Sequence, residues 1–144
     1  MLVCSHLVAF CHRKREYDLT VVEIIKILSD TNRLRILNLL YKRELCVCEL
    51  EYLLGISQSN LSKHLRLMSN TGFLQSRREN KFAYYQINNA VMGEHPFLKD
   101  IFENELKKEA SLTKELDVLR TYQKSDLTCQ NITTLIIRKN GMEN

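Results

Sequence analysis

The chain has 144 residues, with 21 basic and 17 acidic side chains and a formal net charge of +4; that length suits one domain with its own core rather than two. No apolar run approaches the ~20 residues that cross a bilayer as a helix, and with only four glycines and one proline the chain favours long regular elements over a loop-rich fold. Five cysteines, odd in number and irregularly spaced, argue for a reducing cytoplasm, where thiols serve as ligands or redox groups rather than as a disulfide frame.

The first eleven residues are fairly apolar, but the basic cluster Arg13, Lys14, Arg15 follows that run instead of preceding it, the wrong order for a secretory signal. Residues 1–18 read as an N-terminal arm carrying Cys4 and Cys11. Val22, Ile25 and Leu28 predict a first helix. Asp30 can cap a second, whose Leu34, Leu37, Leu40 and Tyr41 repeat with helical spacing. Leu50, Leu53 and Leu54 mark a short third helix stopped by Gly55. Ser57 can cap a fourth, with Leu61, Leu65 and Met68 facing inward and Gly72 ending it. In "FLQSRRENKFAYYQI" two alternating runs flank Glu79 and Asn80, and asparagine tolerates the left-handed turn conformation.

From Pro96 to about Tyr122 the expectation is one long helix, with Phe97, Ile101, Phe102, Leu106, Leu112, Leu116 and Leu119 as its stripe. That stripe is more apolar surface than a small domain covers, which points to a two-fold homodimer. Residues 19–123 thus form the domain, and 124–144 a tail whose "NITTLII" suits a strand or a surface packed against a partner.

Short helix, glycine turn, second helix and β-hairpin make a helix-turn-helix with a wing, a mainly α fold. Between residues 57 and 82, Lys63, Arg66, Arg77, Arg78 and Lys81 face Glu79 alone, a local +4, whereas residues 97–124 balance six basic against six acidic side chains. The excess charge therefore lies where phosphates would be met. On the fourth helix Ser59, Ser62, Lys63 and Arg66 cluster opposite the leucines, with Ser57, Gln58 and Asn60 at its N-terminal end. Gln and Asn suit adenine edges, Lys suits guanine or phosphate, and Ser suits either. A polar stripe alone is most often a solvated face; the turn and the basic hairpin beside it favour DNA. His64 packs at the edge of that helix or meets a phosphate.

"SDTNRLRILNLL", "ELCVCELEYLLGISQSNLSKHLRLMSNTGFL" and "RRENKFAYYQI" together resemble the ArsR/SmtB family of bacterial metal-sensing repressors, over about residues 20–90. The resemblance implies a winged-helix homodimer that binds operator DNA and leaves it when a metal or metalloid binds. It also implies a dimer interface made by the first helix and the long late helix.

Within "ELCVCEL", Cys46 and Cys48 stand two residues apart. On a regular helix such residues point ~200° from each other, yet two sulfurs on one soft ion must lie within ~4 Å. Both can ligate if the first turn of the third helix opens toward an extended form, where i and i+2 share a side; otherwise they are small half-buried thiols. Soft thiolates select arsenite-like metalloids, Cd(II), Pb(II) or Cu(I). The family's arsenic sensors often carry CxCxxC here, and this chain has Glu51 at the third position. A third ligand must come from elsewhere. Cys4 and Cys11 are candidates, since the family's cadmium/lead type recruits N-terminal cysteines of the partner chain, and Cys129 ranks behind them. Three sulfurs suit As(III); four suit cadmium or lead. The family's zinc sites use His and carboxylates on the last helix, and this last helix has no histidine. The competing reading is a thiol redox repressor in which Cys46 and Cys48 are oxidised. No phosphate loop, nucleophile elbow or acid/base pair suggests an enzyme.

Overall fold

The computed structural model describes residues 18–141. Helix α1 (Val21–Leu28) starts at a capping box in which the Thr20 hydroxyl accepts from the Glu23 N–H and Glu23 reaches back to the Thr20 N–H. Asp30 caps α2 (Thr31–Leu40), as its position predicts, by accepting from the Arg33 N–H. Next comes strand β1 (Leu45–Cys46), then α3 (Val47–Leu54). Gly55 ends α3 with φ +63 and ψ 22, a left-handed conformation that costs an L side chain about 1–2 kcal/mol. A Cβ there would meet nothing within 4 Å, so Gly55→Ala should lose about 1 kcal/mol through backbone strain alone, seen as a lower urea midpoint with unchanged slope.

Helix α4 (Gln58–Asn70) buries Leu61, Leu65 and Met68, the three residues expected inward. Each fully buried side chain of this size contributes about 1.5–3 kcal/mol. The wing is β2 (Leu74–Glu79) and β3 (Phe82–Ile87), paired antiparallel with Glu79 opposite Phe82. Asn80 takes φ 54 at the turn, as expected of asparagine. The sheet has a third member: β1 pairs with β3, setting Cys46 opposite Tyr84.

Several expectations need correction. In α1 the buried residues are Ile24 and Ile27, while Val21, Val22 and Ile25 are exposed. The single long helix is instead a succession. Asn88 caps a short α5 (Asn89–Glu94), and α6 (Phe97–Asp100) runs into a π turn (Ile101–Glu105) and a 3-10 turn (Leu106–Lys108). Glu109 is extended (φ −88, ψ 108), and α7 (Ala110–Gln123) starts afresh. The buried series here is Leu98, Phe102, Leu106. Steps of four drift ~40° each around an ideal α-helix, and the wider turn keeps them on one side. The stripe is also spent within the chain: Phe102, Leu106, Leu112, Leu116 and Leu119 are all buried, and Phe97 lies 38% exposed. Phe97 and Val118 alone stay exposed among the large hydrophobics of this segment, so its apolar surplus is smaller than expected; Val21, Val22 and Ile25 of α1 are exposed as well.

Among the described residues, the tail is helix rather than the expected strand. Cys129–Gly141 form helix α8, which packs on α3 and buries Ile132 completely. Helix α7 is tied to the core by Arg35, which bonds Glu115 at 2.6 Å and the Leu54 carbonyl at 2.7 Å, and by Asn38 donating to the Leu112 carbonyl. No helix among the described residues is long and apolar enough to cross a membrane.

Candidate metal centre and nucleic-acid interface

Cys46 ends β1 and is also the N-cap of α3, with extended backbone (φ −84, ψ 165). Cys48 is the second residue of that helix. The geometric objection to a CxC pair on a helix therefore does not arise, because the strand supplies the extended residue without any opening of α3. Cys129 opens α8 and is brought to both, the three sulfurs lying within 4.8 Å of one another. Its Sγ is 2.6 Å from that of Cys46, and the Tyr84 hydroxyl is 3.7 Å away. Cys46 is buried; Cys48 and Cys129 are half-buried. Cys4 and Cys11 lie outside the described residues.

Below the sulfurs is a buried acidic side chain that the sequence reading did not single out. Glu49 accepts from the Cys46 N–H through Oε2 at 2.7 Å and from the Tyr122 hydroxyl through Oε1 at 2.7 Å. Its own N–H donates to the Cys46 sulfur at 3.4 Å. A hydrogen bond with the Cys48 thiol, together with burial, pushes the Cys46 thiol far above the ordinary thiol range. Burial and then Cys46 push Cys129 up to about 11. In neutral water these two are thiols, so an ion that binds them must displace their protons. Glu51 is half-buried, and burial raises its carboxyl pKa.

On the expected DNA face, Gln58, Ser59, Asn60, Lys63 and Arg66 are exposed and Ser62 is half-buried. Ser57 occupies the N-cap of α4 but makes no capping bond; its hydroxyl lies 3.4 Å from that of Ser59. His64 is half-buried, 3.9 Å from Asp30. The wing residues differ among themselves. Arg77 is held by Glu44 and Glu79, both at 2.7 Å, and lies over the Tyr84 ring. Glu44, distant in sequence, was not in the local charge count. Arg78 and Lys81 are exposed and, with Gln58 and Ser62, line a groove of about 640 Å³ that runs from Cys46 and Cys48 along α8.

Residues 30–76 match the model of the bacterial regulatory protein arsR family. The arsenical resistance operon repressor of Staphylococcus aureus is 38% identical over 81 residues, which is 56% of this chain and 72% of the repressor. A cadmium resistance regulatory protein CadC homolog from the same organism is 35% identical over 74 residues, 51% of this chain and 61% of its own, so the chain spans under two thirds of it. Among solved structures, the transcriptional repressor BigR of Xylella fastidiosa is 29% identical with a TM-score of 0.50, covering 57% of this chain and 82% of its own. A homodimeric winged helix-turn-helix DNA-binding domain from Mycobacterium bovis is 27% identical with a TM-score of 0.50, covering 56% and 76%. The helix-turn-helix, the wing and these likenesses place the chain in the arsR family of bacterial regulatory proteins, a family of DNA-binding transcriptional regulators and not of enzymes.

Proposed function

We propose that this chain is an operator-binding repressor released from DNA by a thiophilic ion, and that As(III) is the ion its site suits best. The observation that carries this is the convergence of Cys46, Cys48 and Cys129 within 4.8 Å. Three thiols and arsenous acid exchange three protons and three hydroxides, forming three As–S bonds and three waters with no change of oxidation state. The product is neutral. Cd(II) or Pb(II) on three thiolates would leave one negative charge in a half-buried place beside Glu49, an unfavourable site for it. Cadmium and lead rank next, and a fourth sulfur for them would fall to Cys4 or Cys11. The reduced chain, titrated anaerobically with arsenite, should gain thiolate-to-arsenic ultraviolet absorption that saturates at one ion per chain. No such absorption would overturn the ion reading.

The approach of Cys46 to Cys129 favours a second reading, in which hydrogen peroxide oxidises this pair to a disulfide, the two thiol protons and the peroxide leaving as two waters. Release of DNA by peroxide but not by anaerobic arsenite would select it.

DNA recognition is proposed for the exposed face of α4 and for Arg78 and Lys81. Arg77 contributes less than its charge suggests, because Glu44 and Glu79 already neutralise it. Lys63→Ala should lower operator affinity and reduce the slope of log affinity against log salt by about 1 if Lys63 meets a phosphate. A base contact would instead cost ~1–3 kcal/mol and relax one position. Fluorescence anisotropy on labelled DNA decides, and unchanged affinity removes Lys63 from the contacts. The exposed Val21, Val22 and Ile25 of α1, with the late helices, suit a two-fold homodimer that reads a near-palindromic operator, with half-sites about one helical turn apart or slightly more. Sedimentation as a monomer at micromolar concentration would contradict this. The cytoplasm is the proposed location.

A further inference from the structure

Resting on the ion reading above, we propose that α8 is an ion-gated occupant of the DNA cleft: clamped through Cys129, it lies between the reading helix and the wing and excludes the DNA backbone. Thr133, Ile136 and Ile137 of α8 line the same groove as Gln58 and Ser62 of the reading helix and Arg78 and Lys81 of the wing. A reading helix seated in the major groove has a phosphodiester strand on either side of it, and the passage between that helix and the wing is open to one of them. Here that passage has basic and polar walls suited to phosphate, but α8 sets isoleucines in it, and Ile137 is 66% exposed. A branched apolar side chain facing phosphates strips their water without replacing a hydrogen bond. The DNA-bound state therefore favours α8 displaced, while the ion-bound state favours it seated.

The seat is narrow enough to be gated. Helix α8 rests chiefly on α3, with Ile132 fully buried and Ile136 half-buried, and its first residue is the third sulfur. An ion joining Cys129 to Cys46 and Cys48 adds three bonds that hold the start of α8 against α3. Because DNA and ion prefer different positions of one element, each weakens the other's binding. The signal passes from sulfur to DNA face along one helix.

Hydrogen exchange on the whole chain tests this. In reduced protein, arsenite should slow exchange of the amides of residues 132–138, and a DNA duplex carrying the operator should speed it. As a second arm, Ile132→Ala, which loosens the seat, should raise operator affinity of the ion-free chain by ~5-fold and increase the arsenite needed for release by a similar factor. Unchanged or slower exchange of these amides on DNA, or lower DNA affinity in the variant, would overturn the gate. Thiolate-to-arsenic absorption recorded on the same samples separates the two failures. If it is present while DNA leaves α8 protected, the gate fails and the ion site stands. If it is absent, the ion site fails.

Discussion

Cys46→Ser should abolish release by arsenite while leaving DNA binding of the ion-free chain nearly intact. The two effects separate because Cys46 is the N-cap of α3 and, on the proposed reading, also an ion ligand. As N-cap of α3 it accepts the Glu49 N–H, and a serine hydroxyl does that at least as well. As a ligand it offers a soft sulfur, which a hard, weakly acidic hydroxyl does not replace. Loss of a mere supporting hydrogen bond around a metal ligand costs ~10–100-fold in affinity, so loss of a ligand itself should exceed that. Cys48→Ser should behave the same way. Cys129→Ser is the sharper test of geometry. If Cys129 is the third sulfur, this variant loses arsenite-induced absorption to a comparable extent; if Cys4 or Cys11 supplies it, Cys129→Ser keeps its response and those variants lose theirs. Ultraviolet absorption and release from labelled DNA should be read on each variant. A full response in both the Cys46 and Cys48 variants would remove the metal site and leave Cys46 as a helix cap.

The parts of the molecule that were legible in the sequence are those whose signal is local. Asp30 before α2, Gly55 after α3, Asn80 in the wing and the Leu61, Leu65, Met68 face of α4 each depend on neighbours within a turn or two. Cys129 was ranked low for the opposite reason. Its place beside Cys46 depends on α8 folding back 83 residues later, a distance over which composition carries no information. Ile132, Thr133, Thr134, Ile136 and Ile137 are β-branched, and propensity alone reads them as a strand. Tertiary packing overrides it. A helical signal was nonetheless present, because Cys129, Ile132, Thr133 and Ile136 share one face of a helix. Arg77 illustrates the same limit for charge: the local count could not include Glu44, 33 residues away, which accepts from both Nε and Nη2 of its guanidinium. Glu49 was hidden because an acidic residue early in a helix reads as a surface residue near the helix dipole, and only the fold reveals it as 6% exposed.

Glu49→Gln should both destabilise the chain and weaken its hold on the ion. The wild-type side chain gives one oxygen to the Cys46 N–H and the other to the Tyr122 hydroxyl. An amide has a single acceptor oxygen, so one of two buried donors loses its partner and the NH2 group faces the other donor. A buried donor left unsatisfied costs about 1–3 kcal/mol, and Glu49→Ala, which strands both, should cost roughly 2–6 kcal/mol. Tyr122→Phe leaves the buried Glu49 Oε1 without its donor and should cost about 1–3 kcal/mol. Because Glu49 and Tyr122 touch, the double variant should be less damaged than the sum of the singles, with a coupling of at least ~0.5 kcal/mol in urea unfolding. The consequence for the ion follows from the other bond. Glu49 fixes the backbone of Cys46 in the extended form that aims its sulfur toward Cys48 and Cys129, the role an outer partner plays for a ligand, so arsenite affinity should fall ~10–100-fold. A Glu49→Gln chain with wild-type stability and wild-type arsenite affinity would show that the hydrogen bonds to Cys46 and Tyr122 merely fill space between α3 and α7.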